Sequence, residues 1–162
     1  IDLGGKVFPI SGGLPLGQRA PQRQAYRLVE LQRFSRHLNV PLNLKPKYFP
    51  VGGDDSARLI IAADLAQGPL AAMKIAGAIL TACWAQERNM ADDAVLAELL
   101  QEQKLSAGLL AQSHSSEVQA LYETYTQAAI AAGVFGAPSY VVNGEIFWGQ
   151  DRLDFVERAL AT

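Results

Sequence analysis

Two short apolar runs, Ser139 to Val142 and Glu145 to Trp148, are separated only by Asn143-Gly144. A type I′ turn needs positive φ at both central residues, which Asn and Gly tolerate best, so this stretch predicts a β-hairpin. Gly149 breaks the second strand. Asp151 is placed to cap a final helix over residues 152–161, with Leu153, Val156 and Leu160 on one face. Pro138 stands at the entrance of the first strand and, lacking an N–H, leaves nearby backbone groups free. Read locally, it is a trans proline that opens a strand, since only about one X–Pro bond in twenty is cis.

A lone two-stranded hairpin is marginally stable in water, so the rest of the chain must cover it. With 162 residues and 49% apolar content there is material for one core, or one core with a helical appendage. Charged residues make up 19% and the net charge is −2, which argues against a disordered chain and against a surface for nucleic acid. The one cysteine, Cys83, excludes a disulfide framework, a CxxC pair and a cysteine zinc cluster within these residues. His37 and His114, far apart on polar helical stretches, give no metal-ligand spacing, so no metal is expected. The longest apolar run, residues 70–85, is interrupted by Lys74 and Thr81 and is expected to be a buried helix rather than a membrane span. No signal-peptide pattern opens the sequence, and a reducing cytoplasm is the expected compartment.

Ile1-Asp2-Leu3 reads as the end of a strand. Residues 6–18 are too rich in Gly and Pro for a helix and are expected as a long loop. Residues 22–38 form an amphipathic helix with Tyr26, Val29, Phe34 and Leu38 on one side, ended by Asn39 and Pro41. Residues 41–50 are extended and carry Lys45, Lys47, Tyr48 and Phe49. Asp55 or Ser56 caps a helix to Gln67, and residues 70–87 follow as a helix apolar nearly all round, hence a central one. Cys83 on it is expected to be buried and inert. Two short helices span residues 92–103 and 106–112. Ser116, with Gln119 three residues on, opens a longer helix through a capping box, and Gly133 closes it.

The order helix, Gly133-Val-Phe-Gly-Ala-Pro138, strand, Asn-Gly, strand, Trp148-Gly-Gln-Asp-Arg152, helix resembles the C-terminal part of thioredoxin-like proteins related to bacterial disulfide oxidoreductases. Within that group it is most similar to the 2-hydroxychromene-2-carboxylate isomerases, relatives of the kappa-class glutathione transferases. The likeness is strongest over residues 133–160, weaker over 41–48, and only topological between 54 and 112. It implies an α/β fold in which a thioredoxin-like sheet (residues 1–10 and 116–162) is interrupted by a connecting loop and an all-helical insertion (residues 11–115). It also implies a first βα unit ahead of Ile1 that carries the catalytic serine, which therefore has no number here.

Several further expectations come from the resemblance alone. The Ala137-Pro138 bond would be cis and expose the N–H and C=O of Ala137 to glutathione, which would pair there as an added strand. Trp148, Gly149, Gln150 and Asp151 would complete the glutathione site, with the N-terminus of the last helix, at Gln150-Asp151-Arg152, receiving a carboxylate and Asp151 accepting from the ammonium. Tyr48 matches a substrate-contacting tyrosine, Lys6 lies one residue from a substrate-binding lysine, and Trp84 falls near the pocket. The family's asparagine position falls near Gln18-Arg19, where this chain has no Asn, a departure that bears on substrate identity. The implied reaction is glutathione-dependent isomerisation: the thiolate adds to and leaves a conjugated keto acid derived from an aromatic compound, within a homodimer. The alternatives are a thiol–disulfide oxidoreductase or kappa-like transferase on the same fold, and a non-catalytic glutathione-binding protein.

Overall fold

Ser139–Val142 (β1) and Glu145–Trp148 (β2) pair antiparallel, with Ser139 opposite Trp148 and Val142 opposite Glu145. Asn143 and Gly144 join them at φ of 52° and 83°, the left-handed pair that the dipeptide predicts. The computed structural model describes residues 1–161, and they divide into two units: residues 1–19 with the chain from Glu123 onward, and residues 20–122. Among the described residues the sheet has these two strands only.

In the unit that holds the hairpin, Asp2 accepts from Gly5 N–H at 2.7 Å and starts a π-helical turn, Leu3–Val7, which runs into α1, Phe8–Ser11. The strand end expected at Ile1 and the unbroken loop expected from Lys6 are therefore corrected. Pro9 sits in the first turn of α1, where a missing N–H costs nothing. Leu16–Gln18 adds a 3₁₀ turn. Val7, Thr126, Val134 and Val156 are the buried side chains of this unit, and the Asp2 N–H donates to Thr126 Oγ1 at 3.0 Å. After β2 the chain makes a 3₁₀ turn, Gln150–Arg152, and then α8, Leu153–Leu160, which packs on β1.

The other unit is helical. Its helices are α2 (Pro21–Leu38), α3 (Asp54–Gln67), α4 (Pro69–Ala85), α5 (Asp93–Glu102) and α6 (Gly108–Ser113). Then α7, Ser116–Ala131, runs continuously across the unit boundary. Asn39, at φ 52°, closes α2 as a left-handed cap. Two cap assignments need correction. Ser56 caps nothing; its buried hydroxyl donates to Met90 O at 2.6 Å, and α3 begins behind Gly53. Ser115 rather than Ser116 caps α7, its hydroxyl accepting from Val118 N–H at 3.3 Å, while Gln119 accepts from Arg58 instead of reaching back.

Leu59, Ile75, Ile79, Leu96, Leu99, Leu100 and Leu109 make the core of this unit, each 0–2% exposed. Each such side chain contributes about 1.5–3 kcal/mol. Ile61, Ala62, Val118 and Tyr122 form a second cluster, and the Tyr122 hydroxyl donates to Asp54 at 2.6 Å. Helix α4 packs on α3 and α5, with Ala71, Ile75, Ile79 and Ala82 in their shared core. It is not central: Leu70, Met73 and Leu80 are 86%, 73% and 56% exposed. Only one stripe of a helix fits a two-layer packing, and with apolar residues on both faces the periodicity could not say which. No helix among the described residues is long and apolar enough to cross a membrane. Replacing Gly144 by Ala forces a side chain into the left-handed turn and should cost about 1 kcal/mol in urea unfolding followed by circular dichroism.

Candidate functional site

Gly133, with Val134 N–H bonded to Ala129 O at 2.9 Å, ends α7 and turns the chain toward the hairpin. The Ala137-Pro138 bond that follows is cis, and both residues are exposed. Gly149 N–H donates to Pro138 O at 3.0 Å. In an antiparallel pair the opposite residue would return a bond, but Pro138 has no hydrogen to give. Gly149 O accepts instead from Arg152 N–H at 3.3 Å, which closes the 3₁₀ turn. Among the described residues, neither the N–H nor the C=O of Ala137 takes a partner, and the N–H groups of Gln150 and Asp151 likewise have no acceptor.

These groups border one cleft of about 300 Å³, lined by Ala137, Pro138, Trp148, Gly149, Gln150, Asp151 and Arg152. Trp148 forms one wall. Its ring lies 5.1 Å from that of Phe135 at an angle of 56°, and it passes so close to Gly136 that a Cβ there would sit 2.6 Å from Nε1. The Ser139 hydroxyl donates to Gly136 O at 2.7 Å and fixes the bend before the cleft. Asp151 does not cap α8, which begins behind Arg152 without a side-chain cap. Its carboxylate folds over Gly149 and pairs with Arg152 at 2.7 Å. The 3₁₀ turn interposed between β2 and α8 shifts the helix start by one residue and removes the capping geometry.

The residues singled out for substrate are not among those lining this cleft. Lys6 pairs with Glu123, and the Lys6 ammonium holds that carboxyl below its ordinary range. A lowered carboxyl pKa adds stability that is present at neutral pH and fades as the pH falls through the lowered value. Both partners are exposed, so the effect is small. Tyr48 and Trp84 belong to the helical unit. Tyr48 is 37% exposed, with Lys47 Nζ 5.0 Å from its ring. Trp84 stacks on Phe49 at 4.6 Å, and the Arg27 guanidinium lies 5.2 Å from the Phe49 ring and 5.5 Å from that of Trp84. Arg27 and Phe135 carry no signal in the sequence, whereas Phe49 reads there only as a loop anchor and Arg152 only as the third residue of the anion-receiving helix start.

Cys83 is buried in α4, and burial, with Glu87 nearby, pushes its thiol upward and away from the thiolate form. Among the described residues no group of His, Cys, Asp and Glu could hold a metal ion.

The sequence matches the DSBA-like thioredoxin domain over residues 1–161. The chain belongs to that family. Within the DSBA-like proteins it is 27% identical over 163 residues to a 2-hydroxychromene-2-carboxylate isomerase of Pseudomonas putida, an alignment covering 99% of this chain and 76% of the relative. A second such isomerase, from Sphingobium xenophagum, is 50% identical over 42 residues, 26% of this chain and 22% of that one. A solved 2-hydroxychromene-2-carboxylate isomerase superposes with a TM-score of 0.77 at 23% identity, covering 99% of this chain and 77% of that one, a likeness of fold. The helix-rich architecture around a small sheet is thus the thioredoxin-like fold of the DSBA-like group.

Gly136→Ala tests the wall of the cleft. In a Trp84→Phe background the added methyl should push the Trp148 indole off Phe135 and toward water, red-shifting its emission. An unchanged spectrum would show that the ring does not rest on Gly136.

Proposed function

We propose that the protein is a glutathione-dependent isomerase acting on 2-hydroxychromene-2-carboxylate or a closely related conjugated keto acid. The observation that carries this reading is the free main-chain edge at Ala137 beside a cleft whose far end presents unpaired N–H groups and a carboxylate. Glutathione is an extended tripeptide with a carboxylate and an ammonium at its γ-glutamyl end. An exposed N–H and C=O can pair with such a chain as a neighbouring strand would. The N–H groups of Gln150 and Asp151 can receive its carboxylate, and the Asp151 carboxylate can accept from its ammonium. Trp148 offers an apolar wall. The donor and acceptor set therefore fits this group.

When bound, glutathione supplies the thiol nucleophile for which the chain's own cysteine, buried in α4, is unsuited. The protein's part is binding and orientation: main-chain pairing fixes direction, and the turn at 150–152 fixes the charged end. Tyr48, with its hydroxyl donor, and the neighbouring Lys47 are the groups we assign to the aromatic acid. The names carried by the relatives support the isomerase class. The exposed Leu70, Met73 and Leu80 face of α4 supports a homodimer.

The family match favours thiol–disulfide exchange as a second reading. The 162 residues hold a single cysteine, so that chemistry would need thiols other than theirs. Insulin reduction by the protein, without isomerase turnover, would favour it.

The protein should interconvert 2-hydroxychromene-2-carboxylate and trans-o-hydroxybenzylidenepyruvate only when glutathione is added. Turnover at the same rate without glutathione would end the proposal. Asp151→Ala should weaken glutathione binding in calorimetry roughly tenfold or more, the loss expected for a hydrogen bond to a charged group.

A further inference from the structure

The turn after α4 contains a residue out of place by its backbone. Glu87 has φ 57°, and Arg88 N–H donates to Ala82 O at 2.9 Å, the closing bond of a left-handed helix end. Glycine is the usual occupant of such a position, because a β-carbon there costs about 1–2 kcal/mol. Here the β-carbon carries a carboxylate that reaches the segment before Tyr48. Glu87 Oε1 accepts from Asn43 Nδ2 at 2.7 Å, and Oε2 accepts from the Lys47 N–H at 2.6 Å.

Both partners are donors, and each uses a different oxygen. Only a carboxylate offers two acceptor oxygens at this spacing; an amide would place its own NH₂ against one donor. Two further contacts hold the same segment to the same helix end. The Asn43 N–H donates to Trp84 O at 2.6 Å, and the Phe49 ring stacks on the Trp84 ring. Tyr48 lies between these attachments and is itself left partly exposed beside Lys47. A clamp on both flanks fixes the direction of the residue between them. A backbone outlier maintained by its surroundings is a common sign of a functional constraint.

We propose that Glu87 is a positioning residue: its carboxylate fixes residues 43–47 so that Tyr48 and Lys47 present their polar ends to the carboxylate of the aromatic acid. This rests on the assignment of Tyr48 to the substrate made above. Glu87 touches neither substrate nor cofactor in this scheme and acts only through the segment it holds.

Glu87→Gln and Glu87→Gly separate the role from a structural one. The glycine variant relieves the left-handed backbone and should unfold at a temperature no lower than that of the unaltered protein. Both variants should raise KM for 2-hydroxychromene-2-carboxylate by roughly twofold to twelvefold, the range to which a net hydrogen bond of about 0.5–1.5 kcal/mol converts. The kcat and the KM for glutathione should stay within about twofold. Hydrogen exchange should speed up at the Lys47 amide in the glycine variant, which removes its acceptor. An unchanged KM for the acid, or equal losses in kcat and both KM values, would overturn the proposal. If the unaltered protein shows no turnover, the isomerase reading fails and the exchange measurement decides alone. Faster exchange at Lys47 then upholds the clamp, and unchanged exchange removes it.

Discussion

One missing hydrogen organises the hairpin unit. Pro138 accepts from Gly149 and returns nothing, so the ladder of β1 and β2 stops there. Two consequences follow from that stop. On one side the amide and carbonyl of the exposed Ala137 take no partner among the described residues; on the other the Gly149 carbonyl is released to close the 3₁₀ turn with Arg152. The cleft lies between these two results, and its wall depends on a third. Trp148, the last residue of β2, can approach only because Gly136 has no side chain. A proline, a glycine and the end of a strand thus shape one part of the cleft, and the Asp151–Arg152 pair lines another.

The helical unit solves a different problem. Its core is made of leucine and isoleucine from α3, α4, α5 and α6, and no residue of α2 is fully buried. The segment between α2 and α3 has no regular structure of its own and is held by the end of α4, through Trp84 and Glu87. Arg27 of α2 adds a cation over the Phe49 and Trp84 rings. That arrangement gives an exposed tyrosine a fixed backbone without placing it in a core.

Much of this was legible where the signal is local. Asn143-Gly144 dictates its turn, Asn39 its helix end and Gly133 the exit of α7, because each depends on φ values that few residues adopt. The family likeness rests on Gly-Ala-Pro and Trp-Gly-Gln-Asp at a set spacing, and all of those residues but Gly136 line one cleft in the structure. Other features depend on partners distant in sequence. Ser56 looks like a cap until Met90 takes its hydroxyl, and Gln119 looks like half of a capping box until Arg58 claims it. Which face of α4 is covered was not readable because both are apolar. The role of Glu87 joins residues 40 and 44 positions apart, and nothing around it in the sequence hints at a left-handed turn.

The strip at Ala137 is written in main chain, and every amino acid except proline carries the same amide and carbonyl. Point mutation has little to erase there: any tolerated side chain at 137 leaves both groups on offer. Selectivity for what lies along the strip must therefore come from its ends, where Trp148 and Asp151 are the replaceable parts. Drift at those two positions could redirect the cleft to another extended ligand while its main-chain edge stayed the same.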